Sequence, residues 1–305
     1  MMTSYRLLTY ESAERPRAGI IIDGTVYDLA TVSACSDYAT ILGVLNDWQA
    51  AARLLPKMAA AMEGKPGMAL GEVRLLAPLL YPSTIYAAGA NYRDHALSMA
   101  RAHNMEPGPD PHELGLNPWH FMKAPRCVVG TESKVVRPSE KLDWEVELAA
   151  VIGRPAKNVP VERALDYVAA YTVASDLSAR DLFVRPHLPA SSPFKYDWIS
   201  QKNFDGACPM GPWLTPSAEI ADPQALAIKL WVNGALKQDS TTAEMVFSTA
   251  EQIAFLSSRI SLYPGDVVLT GTPAGAGAER GQFLKSGDTV KAWIEHIGEL
   301  VTYII

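Results

Sequence analysis

Asp143-Trp-Glu-Val-Glu-Leu148 runs directly into Ala149-Ala-Val-Ile152, a stretch that reads as a β-strand with charges set inside it. Side chains at i and i+2 leave a strand on the same face, so Glu145 and Glu147 project together while Trp144, Val146 and Leu148 project the other way. Two carboxylates held that close repel, and burying them uncompensated is expensive, so the pattern calls for a cation. Taken alone, Glu-x-Glu more often marks a solvent-facing edge strand, because charged residues are mostly exposed. The segments around it argue for the buried reading.

Downstream, the chain is a succession of short β-like runs punctuated by Gly and Pro. A helical pattern at residues 161–170 follows Pro160, and a strand at 171–174 ends at Asp176. That makes Asp176 the leading third acid, since hard divalent cations are held by several carboxylates plus water. A hairpin is signalled by residues 229–232, Asn233-Gly234 and a strand near Leu236. A helix is expected at 244–257, with Met245, Ile253 and Phe255 in the core. A buried strand at 266–269 leads into Thr270-Gly-Thr-Pro-Ala-Gly-Ala-Gly277, and a last strand spans 289–294. The lack of a regular βαβ rhythm argues against a doubly wound sheet.

Upstream, the texture changes at Ala77-Pro78 and Tyr81-Pro82. Residues 5–10, 18–23 and 25–29 read as strands, the last two joined at the turn Asp23-Gly24. Residues 38–62 read as a helix with Ile41, Leu45, Trp48 and Ala52 at helical spacing, ended by Gly64-Lys-Pro-Gly67. The fold class is therefore α+β and β-rich, with a small N-terminal α+β domain at 1–77 and a larger β-rich domain at 78–305.

Composition narrows the function. At 305 residues, 48% apolar and 20% charged, the chain is an ordinary globular one. A net charge of −6 and a pI near 5.6 argue against a nucleic-acid partner. No apolar run is long enough for a membrane span, and the start Met-Met-Thr-Ser-Tyr-Arg lacks the apolar core of a signal peptide, so a cytoplasmic location is expected. Cys35, Cys127 and Cys208 are scattered and odd in number, which indicates neither disulfides nor a cysteine-based zinc site.

Nine motifs in one order resemble the fumarylacetoacetate hydrolase superfamily over nearly all of residues 80–305. They are Gly89-Ala-Asn-Tyr-Arg-Asp-His95, Phe121-Met-Lys123, Asp143-Trp-Glu-Val-Glu-Leu148, Ser175-Asp-Leu-Ser-Ala-Arg-Asp181, Gln201-Lys-Asn-Phe-Asp205, Pro209-Met-Gly-Pro212, Val232-Asn-Gly234, Pro264-Gly-Asp266 and Gly271-Thr-Pro273. The resemblance implies a mixed β-sandwich roll for the larger domain, a homodimer, and Glu145, Glu147 and Asp176 as ligands of Mg²⁺ or Mn²⁺. It implies His95 as general base on a water, with Lys202 and Arg180 beside the oxo-acid substrate. The Gly271 amide and the Thr272 hydroxyl are expected on the substrate carboxylate. Lys123 either reaches the same pocket or buries its stem under a solvated head.

One position departs from the pattern. Hydrolases of this family often pair the histidine with a glutamate three residues later, and here that residue is Ser98. The segment 101–118 is long for a lid connection and carries His103, Glu106, His112 and Glu113; Glu106 or Glu113 is the candidate to supply the missing carboxylate. A second long connection, 182–200, holds Arg185, His187, Lys195 and Trp198, which suggests a substrate with a second anionic or polar end.

The resulting expectation is hydrolysis of a carbon–carbon bond in a β-diketo acid, of the acylpyruvate or fumarylpyruvate type, in catabolism of aromatic compounds or sugar acids. Decarboxylation of an oxaloacetate-type 2-oxo acid, or tautomerisation of an enol acid, on the same metal site is the alternative that Ser98 keeps open. A non-catalytic dimeric scaffold is disfavoured by retention of the three acids, His95 and Lys202.

Overall fold

The computed structural model describes residues 3–102 and 104–305. The acidic run enters the strand Val146–Ile152, every residue of which is buried. This strand pairs antiparallel with Val168–Ser175, placing Val146 opposite Ser175 and Glu147 opposite Ala174, and on its other side with Val267–Leu269. It is therefore an interior strand, and the solvent-facing edge reading fails.

Among the described residues the large sheet has eleven strands, ten along one path and an eleventh, Val128–Val129, paired parallel with Cys208–Pro216 off that path. Its path runs from Met68–Ala69 through Thr25–Asp28, Arg17–Ile22 and Arg6–Tyr10 to Cys208–Pro216, then Val168–Ser175, Val146–Ile152, Val267–Leu269, Ile85–Ala88 and the edge strand His120–Lys123. A five-stranded sheet follows the order Ala235–Thr241, Ala227–Val232, Thr289–Ile294, Gly298–Ile304, Ser133–Val135. The period-2 pattern of the acidic run sorts its side chains between two cores. Trp144, Val146, Leu148, Ala150 and Ile152 join Ile228, Leu230, Val290 and Leu300 of the smaller sheet. Ala149 and Val151 face the opposite core, with Leu45 and Leu55 of the N-terminal helices. The architecture is mixed α+β and β-rich, as the sequence predicts.

Residues 3–77 share this framework. Leu7 pairs with Leu214, and Tyr5, Leu7 and Ile20 lie in one core with Ala170, Met210 and Leu214.

Local boundaries shift where tertiary burial overrides helical periodicity. The expected helix at 38–62 divides into Ser36–Ala39, Ile41–Asn46 and Trp48–Met62, with breaks at Thr40 and Asp47. The helical segment after Pro160 ends at Tyr167, because Val168, Ala169 and Ala170 enter the sheet and are buried there. The helix expected from 244 begins at Thr249, where Ser248 and Glu251 form a reciprocal capping box. The Asn233-Gly234 turn is as predicted, with both residues at positive φ (50° and 79°).

Candidate metal centre and active site

Antiparallel pairing brings the three acids together. Asp176 follows the strand Val168–Ser175, and its amide donates to the Glu145 carbonyl at 2.9 Å, so it emerges beside the acidic pair. One carboxylate oxygen from each of Glu145, Glu147 and Asp176 lies within 4.8 Å of the others, and all three residues are buried.

Two ammonium groups partly neutralise this charge. Lys202, on the short helix Trp198–Lys202, donates to Glu145 Oε2 at 2.8 Å and Asp176 Oδ2 at 2.5 Å. Lys123 donates to Asp176 Oδ1 at 2.5 Å and to the Lys202 carbonyl at 2.6 Å. Arg180 donates Nε to Asp143 at 2.9 Å and pairs through its guanidinium with Glu145.

Burial would raise the Glu145 pKa, but Arg180 and Lys202 outweigh it and hold the carboxyl well below its usual range. Glu147 goes the other way: burial, then the charges of Asp176 and Glu145, push it well up. Its Oε2 accepts the Gly271 amide at 2.7 Å, while its buried Oε1 has no partner. An orphaned acceptor beside two further carboxylates fits a cation, and a donor set made only of oxygen suits a hard one.

The helix Arg93–Ala102 covers this centre and is pinned at its start. The Asn91 side chain donates to the Phe247 and Thr270 carbonyls and accepts the Phe247 amide; Asp94 accepts Ser240 Oγ at 2.6 Å and the Ala274 amide at 3.2 Å. His95 is thereby held at the wall of a cavity of about 410 Å³, together with Glu145, Glu147, Arg180, Lys202 and Thr272.

The carboxylate on His95 is that of Glu279, which sequence reasoning missed. His95 Nδ1 donates to Glu279 Oε1 at 2.7 Å, and the other oxygen takes Ser98 Oγ at 2.5 Å and the Gly275 amide at 2.9 Å. Burial raises the Glu279 pKa, but the hydrogen bonds from His95, Ser98 and Gly275 prevail and leave it below the ordinary value. An ionised partner on Nδ1 makes Nε2 the basic nitrogen. Ser98 is thus a ligand of the acid and not a gap in the site. Glu106 and Glu113 are exposed in the loop, and His103 lies outside the described residues.

Glu279 is aimed by Asp143. The Asp143 carboxylate accepts the Gly277 and Ala278 amides at 2.6 and 3.1 Å, which orients the turn Gly277–Arg280. A Cβ at Gly277 would lie 2.0 Å from the Gln282 carbonyl oxygen and 2.7 Å from Asp143 Oδ1, so only glycine fits. The available signal was the glycine-rich run ending at Gly277, with an acid two residues beyond.

Other expectations change. Lys123 is fully buried, and its ammonium is neither solvated nor in the cavity wall; a charge so enclosed must be paired, and Asp176 pairs it. The Gly271 amide serves Glu147. The Thr272 hydroxyl lies between the Val146 carbonyl and Gln238 Nε2, so the turn braces the acidic strand. In the second connection, Arg185 is bonded to Asp197 and the Phe194 carbonyl, and Lys195 to the Arg185 and Leu188 carbonyls. Its aromatic residues Phe183 and Trp198 are what reach the cavity.

Among the described residues, no helix is long and apolar enough to cross a membrane. The family model "Fumarylacetoacetate (FAA) hydrolase C-terminal" matches residues 84–305. The chain is 40% identical over 244 residues to human "Oxaloacetate tautomerase FAHD2B, mitochondrial", covering 79% of this chain and 72% of the relative. It is 35% identical over 308 residues to "Oxaloacetate tautomerase Fahd2a, mitochondrial" of Rattus norvegicus, covering 98% and 91%. Among solved structures, a putative HpcE protein from Mycobacterium smegmatis superposes with a TM-score of 0.81 at 29% identity, covering 98% and 99%. A maleylpyruvate hydrolase from Sphingobium sp. SYK-6, in complex with manganese(II) ion and pyruvate, gives 0.75 at 27%, covering 98% of each chain.

Proposed function

The chain belongs to the fumarylacetoacetate hydrolase superfamily of enzymes, and from that premise we propose that it is a metal-dependent hydrolase of β-diketo acids, cleaving a carbon–carbon bond to give pyruvate and a carboxylic acid. The observation that carries this reading is the His95–Glu279 pair, whose histidine stands in the same cavity wall as Glu145 and Glu147. It is the arrangement needed to take a proton from water.

Glu145, Glu147 and Asp176 would hold the metal, Mg²⁺ or Mn²⁺. When bound, the ion supplies Lewis-acid polarisation of the 2-oxo acid end. His95 Nε2 takes a proton from a water as its oxygen adds to the distal carbonyl carbon. Glu279 stabilises the imidazolium that results. The bond between that carbon and the neighbouring methylene carbon then breaks, its electron pair passing into the enolate of pyruvate. Lys202 and Arg180 stabilise the anion, and His95 returns its proton to the enolate carbon, so protons balance. Lys123 fixes Asp176, and Gly271 fixes Glu147.

The same reading takes the protein as a cytoplasmic homodimer acting in aromatic or sugar-acid catabolism, with residues 78–305 as its catalytic part; every proposed functional residue lies there. A second reading is favoured by the 40% identity to an oxaloacetate tautomerase. There His95 would move one proton between a carbon and the enol oxygen of a 2-oxo acid, with no water added and no carbon–carbon bond broken.

Metal-stripped protein, incubated with acetylpyruvate, fumarylpyruvate or oxaloacetate with and without Mg²⁺ or Mn²⁺, separates the readings. Metal-dependent pyruvate with an equal amount of released acid is the expected result. Metal-dependent keto–enol exchange of oxaloacetate, with no acid released from either diketo acid, would replace the hydrolase by the tautomerase.

A further inference from the structure

One stretch of the cavity wall is aromatic: Trp119, Phe121, Phe183 and Trp198 line it, and Phe121 adjoins the acidic centre with the Lys202 ammonium 5.0 Å from its ring. Trp198 is the hub of this group, at ring-centroid distances of 4.5 Å from Phe183, 5.0 Å from Trp119 and 5.5 Å from Phe121. Trp119 and Trp198 nevertheless stay 49% and 36% exposed, so a ring entering here would cover apolar surface that the fold leaves open.

Charge in this wall is already committed. Among the described residues, Lys202 and Arg180 are the lysine and arginine of the wall, and both are paired with the buried acids. Arg185 and Lys195, the nearby cations of the 182–200 connection, are bonded within that connection. The remaining polar side chain near Trp198 in the wall is Gln201, neutral and 3% exposed, its Oε1 an acceptor without a partner. A carboxylate entering here would lose its water against aromatic faces and meet no free cation.

We propose that the substrate is a 2-oxo acid whose distal acyl group is a planar aromatic ring, an aroylpyruvate, seated against Trp119, Phe183 and Trp198. This rests on the hydrolase reading above and names its substrate class. It also departs from the sequence-based expectation of an anionic or polar distal end.

The test compares kcat/KM of the Mn²⁺-loaded protein for benzoylpyruvate, acetylpyruvate and fumarylpyruvate, alongside quenching of tryptophan fluorescence by phenylpyruvate and by oxaloacetate as a readout of binding alone. Benzoylpyruvate is expected to exceed both other substrates by roughly tenfold or more, and phenylpyruvate to bind more tightly than oxaloacetate. In Trp198→Ala the benzoylpyruvate-to-acetylpyruvate ratio should fall toward one; Trp119→Phe, a milder change, should lower it partially and guards against a folding defect. Tighter binding of phenylpyruvate without turnover of any diketo acid would refute the hydrolase while supporting the aromatic seat. Fumarylpyruvate or oxaloacetate preferred in the respective readouts would overturn the seat itself.

Discussion

At the scale of single residues, the site is a set of charges each needing a partner. Glu279 is the clearest case, since an acid with no role in the sequence reading becomes the group that sets the tautomer of His95. Glu279→Gln keeps the shape but removes the charge, and should lower kcat by about 10²-fold or more with KM little changed, the usual magnitude for acid–base assistance. Glu106→Gln and Glu113→Gln should leave both constants unaltered; steady-state kinetics on the three variants tests this. His120 offers a stability test away from the chemistry. Its ring stacks on Phe255, and burial pushes its pKa down from 6.5 to about 4. Below pH 6.5 the unfolded chain takes up a proton that the folded protein refuses, so this contribution is whole above that pH and is lost as pH falls toward 4. Between pH 7.5 and 4.5 it amounts to about 2.5 kcal/mol. Denaturant midpoints should show His120→Leu losing that much less stability over the interval than the parent protein.

Elements matter here as carriers of angle and register. The helix Arg93–Ala102 can present His95 to the cavity because Asn91 and Asp94 tie its start to two loops and to the strand Ala235–Thr241. In the loop after it the His112 ring lies between Asp110 at 3.2 Å and Glu251 at 2.9 Å, against Phe247, and Asp110 also approaches Arg93 at 3.8 Å. The Glu251 hydrogen bond, and then Asp110, raise the His112 pKa over the opposing effect of burial. A histidine whose folded pKa is raised adds its full stabilisation below the unfolded value of 6.5 and loses it as pH rises through the folded one. Limited proteolysis of residues 104–119 should therefore be faster at about pH 8.5 than at about pH 6. His112→Ala should be cut at the faster rate at both; equal rates in the parent protein would show that the latch carries no weight.

For the whole molecule, the sheet is continuous across the boundary read at residue 78. Arg6–Tyr10 pairs with Cys208–Pro216, and Leu7, Ile20, Leu45 and Leu55 fill one core with Ala170, Met210 and Leu214. All the proposed catalytic groups lie beyond residue 78, yet a 78–305 fragment would expose that core to water, against a net folding stability of only about 5–15 kcal/mol for a typical protein. The fragment is expected to be recovered aggregated or without a cooperative thermal transition, while the full chain melts cooperatively. A monodisperse fragment with a sharp melt would establish residues 78–305 as an independent domain.

What the sequence determined by itself was largely what one strand and its neighbours can express. Period-2 alternation put Glu145 and Glu147 on one face, Asn233-Gly234 and Asp23-Gly24 marked hairpins, and the order of the motifs named the superfamily. Helix limits were legible only where a local device set them. The capping box at Ser248 and Glu251 could have corrected the start of that helix, whereas nothing local shows that residues 168–170 leave a helical pattern for a buried strand. Tertiary structure alone decided where each charge is neutralised. Glu279 reaches His95 from 184 residues away, Lys123 turns to Asp176, and Arg185 and Lys195 of the second connection bond to groups within that connection. The physical reason is that hydrophobic periodicity is a local property of the chain, while the pairing of a buried charge is settled by whichever partner the finished fold brings within hydrogen-bonding distance.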